Sequence, residues 1–333
     1  MIITRTPFRL SLFGGGTDYR PWFENNGGLV IAAAMNHYCY LTVRNLSPFF
    51  DHKSRAAYSQ VELVGDNGDF EHPSINQTLK YLGFDSGVQI SHDGDLPARS
   101  GIGSSSSFTV GLLNALNALR YKMSSKQQLA EAAIEVEQKW IKEDVGIQDQ
   151  IMSAYGGLRV IRMEKNGTYS VDPIICKPEY LENFEKHVMI GFSGVSRFAV
   201  KYAKSQIENI KTGTSAKSLH EIQDMAKEAL GLFTGHADMS ELGALLHKGW
   251  LLKRGLAEGL TNDFIDETYN TAIKAGAYGG KLMGAGGGGF FMFLAPPEKQ
   301  AQVKAALSAI KVWVPFKIDF NGSQVIFQHD TTH

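Results

Sequence analysis

The chain has few cysteines and no long apolar run, and these absences exclude several classes of protein. Cys39 and Cys176 are the only cysteines among 333 residues, which is too few for a disulfide-stapled fold. Neither lies in the paired spacing of a zinc site, and the one H-x-x-x-H spacing among the ten histidines, His329 with His333, has no cysteine near it in the sequence. No continuous apolar run reaches the roughly 18 residues that a membrane-spanning helix needs. We therefore expect neither a zinc site nor a transmembrane helix.

An excess of charge of either sign is also missing. Lys and Arg number 33 against 34 Asp and Glu, so the formal net charge is −1 and no basic field recruits nucleic acid or an anionic membrane. The first residues alternate like a strand and lack the apolar core of a signal peptide. We therefore expect a cytoplasmic protein without nucleic-acid or membrane partners. The length favours two domains, with a boundary near residue 180, and is compatible with a homodimer.

The hydrophobic pattern alternates between strands and helices along the whole chain. Polar and apolar residues alternate over 2–13, which predicts a strand. The polar pair Asn36-His37 divides the next apolar run into two predicted strands, 29–35 and 38–43. A helix is predicted over 107–121, and a capping box of Ser125 and Gln128 begins another. Further segments are predicted as strands at 88–91, 158–163, 188–192 and 290–294, as mostly helical at 200–275, and as a last helix after Pro297.

A serine-rich stretch, Asp95–Phe108, connects a predicted strand to the helix at 107–121. It holds Pro97, Gly101, Gly103 and five serines. The first N–H groups of a helix have no intrahelical partner and the helix dipole is positive there, so glycines at this point let an anion lie directly on the backbone. The stretch therefore predicts a phosphate-binding loop, and an ordinary loop with serine N-caps is the alternative.

Two more glycine-rich loops support the phosphate interpretation. One is Gly14–Gly16 after the first strand, and the other has seven glycines among residues 279–289. Gly284-x-Gly286-x-x-Gly289 matches the dinucleotide-binding pattern, but it precedes a strand instead of opening a helix. No Walker A motif occurs either. Three such loops can converge on one phosphate-bearing ligand.

Phosphoryl transfer also needs a metal, a group that orients the acceptor hydroxyl, and a cation near the developing charge. Glu137 lies at the edge of a helical apolar stripe, about 60° from Trp140 at 100° per residue, and with Ser105 it fits a Mg²⁺ site. Asp149 fits the base and Arg9 the cation.

Each of these assignments has a structural alternative. Glu137 could be a surface residue packed on Trp140, and Glu143 and Asp144 compete with it for the metal. Asp149 could cap a helix, and Arg9 could lie on a solvated strand face.

Three segments resemble, in order, the signature motifs of the GHMP small-molecule kinases: Thr6–Tyr19, Leu96–Ser107 and Lys281–Gly289. The resemblance implies an α+β protein that uses ATP and Mg²⁺. It further implies a ribosomal S5 domain 2-like N-terminal domain, here 1–180, and a ferredoxin-like C-terminal domain, here 181–333, with the site in the cleft between them.

The resemblance also implies roles for individual residues. Ser105 and Glu137 would hold Mg²⁺, Asp149 would face the acceptor hydroxyl, and Arg9 would lie near the transferred phosphoryl group. The residues implied at the ATP phosphates are Pro97, Arg99, Gly101, Gly103, Ser104, Ser105 and Ser106. The residues implied at the substrate are Gly15, Gly16, Asp18, Tyr19, Arg197, Gly284, Gly286 and Gly287.

One departure from the family narrows the substrate. Galactokinase-like chains carry Glu-His where this chain has Gly15-Gly16, which argues against galactose. The segments Phe13–Tyr19, His37–Tyr40 and Leu96–Gly101 look like those of bacterial D-glycero-D-manno-heptose 7-phosphate kinases. That likeness implies phosphorylation of the anomeric C1 hydroxyl on the route to GDP-heptose for capsule, S-layer or lipopolysaccharide.

A sugar that already bears a phosphate needs a second anion site. The candidates are Arg20, Arg99, Lys281 and Arg197, of which Arg197 is preferred because its segment follows a predicted strand. Two other hypotheses stay open. One is a kinase of another sugar, such as fucose or an N-acetylhexosamine, and the other is a nucleotide-binding relative without catalysis.

Overall fold

The strands lie in two separate sheets. The structure, a computed structural model, describes residues 1–194, 205, 207–256, 259–284 and 286–329. Over this part of the chain, the first sheet contains β1 Ile2–Phe13, β2 Gly28–Asn45, β3 Ser54–Ala57, β4 Val61–Val64, β5 Val88–Gly94, β6 Leu158–Met163, β7 Tyr169–Pro173 and β12 Gln324–Gln328. The second sheet contains β8 Val188–Phe192, β9 Gly279–Leu282, β10 Phe290–Leu294 and β11 Val312–Val314.

Helices cover both sheets, which agrees with the predicted α+β class. The α-helices are α1 Arg20–Asn26, α2 Pro73–Tyr81, α3 Ser104–Leu119, α4 Lys126–Glu135, α5 Gln148–Tyr155, α6 Pro178–His187, α7 Ala216–Gly235, α8 Met239–Arg254, α9 Asp263–Lys274 and α10 Pro297–Ala306. A 3₁₀ turn spans Asn67–Asp69, and a π-helical turn spans Val136–Ile141. No helix in the described ranges is both long and apolar enough to cross a membrane.

Strand β1 is the centre of the molecule. Every residue from Thr6 to Phe13 is buried, including Arg9 and Ser11. Helices α3 and α5 pack on β1, and so do α7 and α8 from the second half of the chain. Because both faces are covered, the polar residues on β1 lie inside the protein. The glycine loop that follows β1 therefore begins between the two halves of the chain.

The prediction of two strands at 29–35 and 38–43 was wrong, because β2 runs without interruption through Asn36-His37. On β1, Pro7 pairs with Tyr38 and the next residue pairs with Met35, so the polar pair forms a bulge. The backbone N–H of Asn36 donates to the Lys317 carbonyl (3.0 Å), and the Lys317 N–H donates to Asn36 Oδ1 (2.9 Å). A distant segment thus binds the polar groups that would otherwise favour a turn.

The C-terminal segment returns to the first sheet. Strand β12 pairs antiparallel with the start of β1, so this sheet draws strands from both ends of the chain. Sheet β11-β8-β10-β9 is formed entirely by residues beyond 187. The domain boundary near residue 180 stays a prediction.

Helix α3 begins at Ser104, three residues before the predicted start at 107. Gly103 precedes it with φ 76°, a left-handed conformation that suits glycine. Four of the five serines, at positions 104–107, therefore form the first turn of the helix, and Ser100 stays in the loop before it.

The serine-rich loop, residues 95–103, contacts the third glycine loop, which connects β9 to β10, backbone to backbone. Gly101 has φ +84°, and a Cβ there would lie 2.5 Å from the Met283 carbonyl oxygen. Gly284 has φ +74°, and a Cβ there would lie 2.5 Å from the Gly101 Cα. Only glycine allows this approach, which joins the two halves of the chain at one point.

We expect Gly101→Ala to lower the free energy of unfolding by about 2–4 kcal/mol, since it adds a clash to the cost of a left-handed residue. Gly83→Ala is the control, because Gly83 has φ +55° and nothing within 4 Å of its Cβ position. That variant should lose only about 1 kcal/mol. If chemical denaturation gave the same loss of unfolding free energy for both variants, the contact between the two loops would contribute nothing to stability.

Candidate active site

The predicted cation and the predicted acid form a bidentate ion pair. Arg9 Nε donates to Asp149 Oδ1 (2.7 Å), and Nη2 donates to Asp149 Oδ2 (2.6 Å). Arg9 Nη1 donates to the Gly101 carbonyl (2.7 Å). The pair therefore lies directly against the serine-rich loop. Three of the five guanidinium N–H donors are used, which leaves two for a ligand.

Asp149 lies in the first turn of α5, on the side where the helix dipole is positive. The N-cap of α5 is Ile147, so the alternative that Asp149 is a helix cap does not hold. Its side chain is 27% exposed, whereas that of Arg9 is 5% exposed. The alternative that Arg9 lies on a solvated strand face is also excluded. The carboxylate is thus held from one side and open on the other.

Asp18 is fixed beside this pair by backbone donors. The Gly16 N–H donates to Asp18 Oδ1 (3.0 Å), and the Gln148 N–H donates to Oδ2 (3.4 Å). Burial, followed by the nearby Asp149 charge, raises the pKa of Asp18. Gly146 allows this arrangement, because a Cβ there would collide with the Asp18 carboxylate. The glycine loop after β1 therefore places a second carboxylate next to Asp149, with the partly buried Tyr19 following it.

The serine-rich loop presents its backbone at the start of α3. Gly101 and Gly103 have positive φ angles, and Arg99 shares this conformation at φ 58°. No side chain caps the first turn of α3, so serine N-capping does not explain the stretch. The hydroxyl of Ser104 instead accepts from the Arg99 N–H (3.1 Å). Backbone donors at the positive end of the helix are what a phosphate requires.

Glu137 is completely buried next to this helix. Its Oε2 accepts from Ser106 Oγ (2.9 Å) and from Gln150 Nε2, and its Oε1 has no hydrogen-bond partner among the described residues. Burial raises the pKa of Glu137 to about 8, against the lowering effect of the Gln150, Ser106 and Thr109 side chains. A buried carboxylate with one unpaired oxygen is costly, and a divalent cation would remove that cost.

With the 100° step of an α-helix, the sequence predicts that Trp140 lies in the buried apolar stripe of its helix and that Glu137 lies at the edge of this stripe. This prediction was wrong. Glu137 is 0% exposed and Trp140 is 37% exposed. The reason is the π-helical turn Val136–Ile141, which replaces the 100° step assumed for an α-helix. The wider turn moves the carboxylate inward and the indole outward.

Ser106, not Ser105, is the serine whose hydroxyl contacts Glu137, and Ser105 is exposed. In the described ranges, no group of three His, Cys, Asp or Glu side chains could hold a metal by itself. An ion at Glu137 would therefore take its other ligands from serine hydroxyls, water or phosphate, as Mg²⁺ does. Glu143 is held close by its N–H bond to the Glu137 carbonyl (2.9 Å). The residues present fit a hard cation, and its assignment to Ser105 and Glu137 stays a prediction.

Two lysines from the second half of the chain complete the charge pattern. Lys281 Nζ donates to the Leu12 carbonyl (3.1 Å), which ties β9 to β1. Lys253 Nζ donates to the carbonyls of Gly284 (2.6 Å) and Leu282 (3.2 Å). Burial, then the Arg9 charge, lowers the pKa of Lys253 to about 8. Sequence reasoning missed Lys253, because Lys253-Arg254 at a helix end is typical of surface cations that oppose the helix dipole.

The other predicted residues are less closely associated with the Arg9–Asp149 pair. Arg20 donates to Gln138 Oε1 (2.7 Å) and forms an ion pair with Glu24 (3.1 Å). The Gly287 N–H donates to the Leu260 carbonyl (3.2 Å), and Gly286 also packs on Leu260. Arg197 lies outside the described residues.

We expect the pH dependence of stability to reveal the buried carboxylate. A pKa raised from 4.5 to about 8 means that, as pH rises, the folded state keeps the proton of Glu137 up to a higher pH than the unfolded state does. In metal-free buffer, wild type should lose stability relative to Glu137→Gln between about pH 4.5 and 8, by at most roughly 1.4 kcal/mol per pH unit. Denaturation at several pH values measures this. The exposed Glu131→Gln should track wild type, and parallel curves for all three proteins would contradict the expectation.

Comparison with known proteins identifies the family of this chain. The family model of the GHMP kinases N terminal domain matches residues 73–157, and that of the GHMP kinases C terminal domain matches 220–311. The D-glycero-alpha-D-manno-heptose 7-phosphate kinase of Campylobacter jejuni subsp. jejuni serotype O:2 is 30% identical, with 92% of this chain and 93% of that protein covered. The bifunctional fucokinase/GDP-fucose pyrophosphorylase of Arabidopsis thaliana is 23% identical and covers 89% of this chain, which spans 30% of that protein.

A solved structure has the same fold over its full length. The D-glycero-D-manno-heptose 1-phosphate kinase from Bacteroides thetaiotaomicron superposes with a TM-score of 0.79 at 23% identity, covering 99% of this chain and 100% of the other. This likeness confirms the two-domain α+β architecture. With both family models matched in order and a relative aligned over nearly its whole length, this chain belongs to the GHMP kinase family and is a phosphotransferase with an alcohol group as acceptor.

Proposed function

We propose that this chain is an ATP- and Mg²⁺-dependent kinase of D-glycero-α-D-manno-heptose 7-phosphate that phosphorylates the anomeric C1 hydroxyl and gives the 1,7-bisphosphate. The activity of the Campylobacter jejuni relative supports the sugar. The observation that carries the chemistry is the Arg9–Asp149 pair, held between the serine-rich loop and Asp18. The product would serve GDP-heptose synthesis for a surface polysaccharide.

Each group near the pair has a role in this reaction. Asp149 accepts a hydrogen bond from the C1 hydroxyl and orients or deprotonates it for attack on the γ-phosphate. The uncommitted N–H donors of Arg9 meet the charge that develops on the phosphoryl oxygens. Asp18 is oriented by the Gly16 and Gln148 N–H groups, so it can accept from another sugar hydroxyl.

ATP places its phosphates on the serine-rich loop in this proposal, where Gly101, Gly103 and the first turn of α3 supply backbone donors. Glu137, with Ser105 or Ser106, would hold Mg²⁺, which when bound neutralises phosphate oxygens. The unpaired Oε1 of Glu137 supports a cation at this point.

A second candidate function is a kinase of an unphosphorylated sugar such as fucose, which the Arabidopsis relative favours. The two functions differ in their need for a second anion site on the acceptor. Arg197 stays the predicted residue for that site. A nucleotide-binding protein without catalysis is disfavoured, because Arg9 and Asp149 are kept in direct contact beside the loop.

A panel of acceptors assayed for ADP formation separates these functions. The panel contains heptose 7-phosphate, unphosphorylated heptose, fucose, galactose and N-acetylhexosamines, each with MgATP. We expect the highest kcat/KM with heptose 7-phosphate and no turnover of galactose, which the Gly15-Gly16 sequence disfavours. Preference for an unphosphorylated sugar would overturn the heptose-phosphate proposal.

The role of Asp149 predicts a kinetic effect without loss of nucleotide binding. Asp149→Asn should lower kcat by about 10²–10⁴-fold, since the amide cannot accept the proton, while ATP affinity measured by calorimetry stays within a few-fold. Asp172→Asn is a matched control, because Asp172 pairs with Arg162 on the surface (2.6 Å). Near-normal turnover of Asp149→Asn would remove this residue from the mechanism.

A further inference from the structure

Lys253 is a cation at the site for which neither the fold nor the motifs give a role. It lies in the last turn of α8 and is partly buried, and its ammonium group contacts two backbone carbonyls of the β9 end and the glycine loop. In the described ranges, Lys253 has no carboxylate within ion-pair distance. A lysine ammonium has three N–H donors, so one remains uncommitted.

The contacts of Lys253 place it opposite Arg9. Its partner Gly284 packs against Gly101, and the Gly101 carbonyl accepts from Arg9 Nη1. Two cations therefore flank the point where the serine-rich loop and the third glycine loop meet. One comes from the first half of the chain and the other from the second half.

The charges around this point do not balance. Arg9, Lys253 and Lys281 lie within electrostatic range of one another and of Asp18, and Asp149 pairs with Arg9. Three basic side chains thus lie near two carboxylates in a partly desolvated region, where burial lowers the pKa of Lys253 and of Lys281. An anion that enters here stabilises the protonated form of both lysines.

A purely structural role does not need the charge of Lys253. The Gly284 and Leu282 carbonyls require hydrogen-bond donors, and a neutral amide could supply them. Placing an ammonium group there costs desolvation, which a ligand of opposite charge would offset.

We propose that Lys253 pairs with the γ-phosphoryl group of ATP and stabilises it during transfer, as a second cation opposite Arg9. This inference rests on the proposed kinase function and adds a residue outside the signature motifs to the site. The uncommitted donor of the ammonium group then meets a phosphoryl oxygen, while the other two fix Lys253 to the glycine loop.

Three substitutions in the full-length protein separate charge from hydrogen bonding. Lys253→Met removes both, Lys253→Gln keeps donors without charge, and Lys253→Arg keeps charge. We expect kcat to fall about 10²–10³-fold in Lys253→Met and Lys253→Gln alike, on phosphorylated and unphosphorylated acceptors, with part of it recovered in Lys253→Arg. Lys248→Met, at an exposed position on the same helix, is the matched control and should keep wild-type kcat.

Nucleotide binding gives a second readout that does not require a sugar. Affinity for a non-hydrolysable ATP analogue with Mg²⁺ should fall at least about tenfold in Lys253→Gln, whereas ADP affinity should stay unchanged, because only the γ-phosphate meets this charge. If wild type turned over no sugar, the proposed function would fail and this measurement would still decide the role of Lys253.

Two results would overturn the inference. One is wild-type kcat in Lys253→Gln together with unchanged affinity for the ATP analogue, which would leave a structural role. The other is a raised KM for the phosphorylated acceptor alone, with kcat and ATP-analogue affinity unchanged. That result would place Lys253 at the phosphate of the acceptor instead.

Discussion

The ion pair of Arg9 and Asp149 is the contact on which the geometry of the site depends. Nε and Nη2 of Arg9 both donate to Asp149, and Nη1 donates to the Gly101 carbonyl. The guanidinium group therefore sets the distance between β1, α5 and the serine-rich loop. A bidentate pair in a partly buried position has little freedom of orientation. One face of Asp149 stays open, which allows the same contact to organise the fold and to present a base to a substrate.

Close backbone contact is the second constraint. Gly101 and Gly284 meet without side chains, and Gly289 packs on the Ser100 backbone in the same way. The two halves of the chain therefore join at the loops that the sequence identifies as phosphate-binding. Since a Cβ atom on any of these residues would collide with backbone, structural and functional demands on the glycines coincide.

Charge at the site is arranged for a ligand rather than for the protein alone. Glu137 is buried with an unpaired oxygen on one side of the serine-rich loop, and Lys253 and Lys281 lie on the other side with only carbonyl partners. A divalent cation and a phosphate would satisfy these groups together. This complementarity explains why an acid and two lysines are kept in places where each is costly in isolation.

The sequence by itself determined the three glycine-rich loops and the regions of six of the twelve described strands. Backbone approach to a phosphate needs residues without Cβ atoms, and hydrophobic alternation depends only on local spacing. The α+β class followed from the resemblance to a family. The sequence also brought forward Arg9, Asp149 and Glu137 as side chains of the right chemistry. The pairing of Arg9 with Asp149 was decided only by the fold, which joins residues 140 positions apart. The same holds for the bulge at Asn36-His37, whose partner is Lys317. The π-helical turn that buries Glu137 and the position of Lys253 beside Gly284 also depended on tertiary packing, because no pattern within one helix indicates what another part of the chain will place against it.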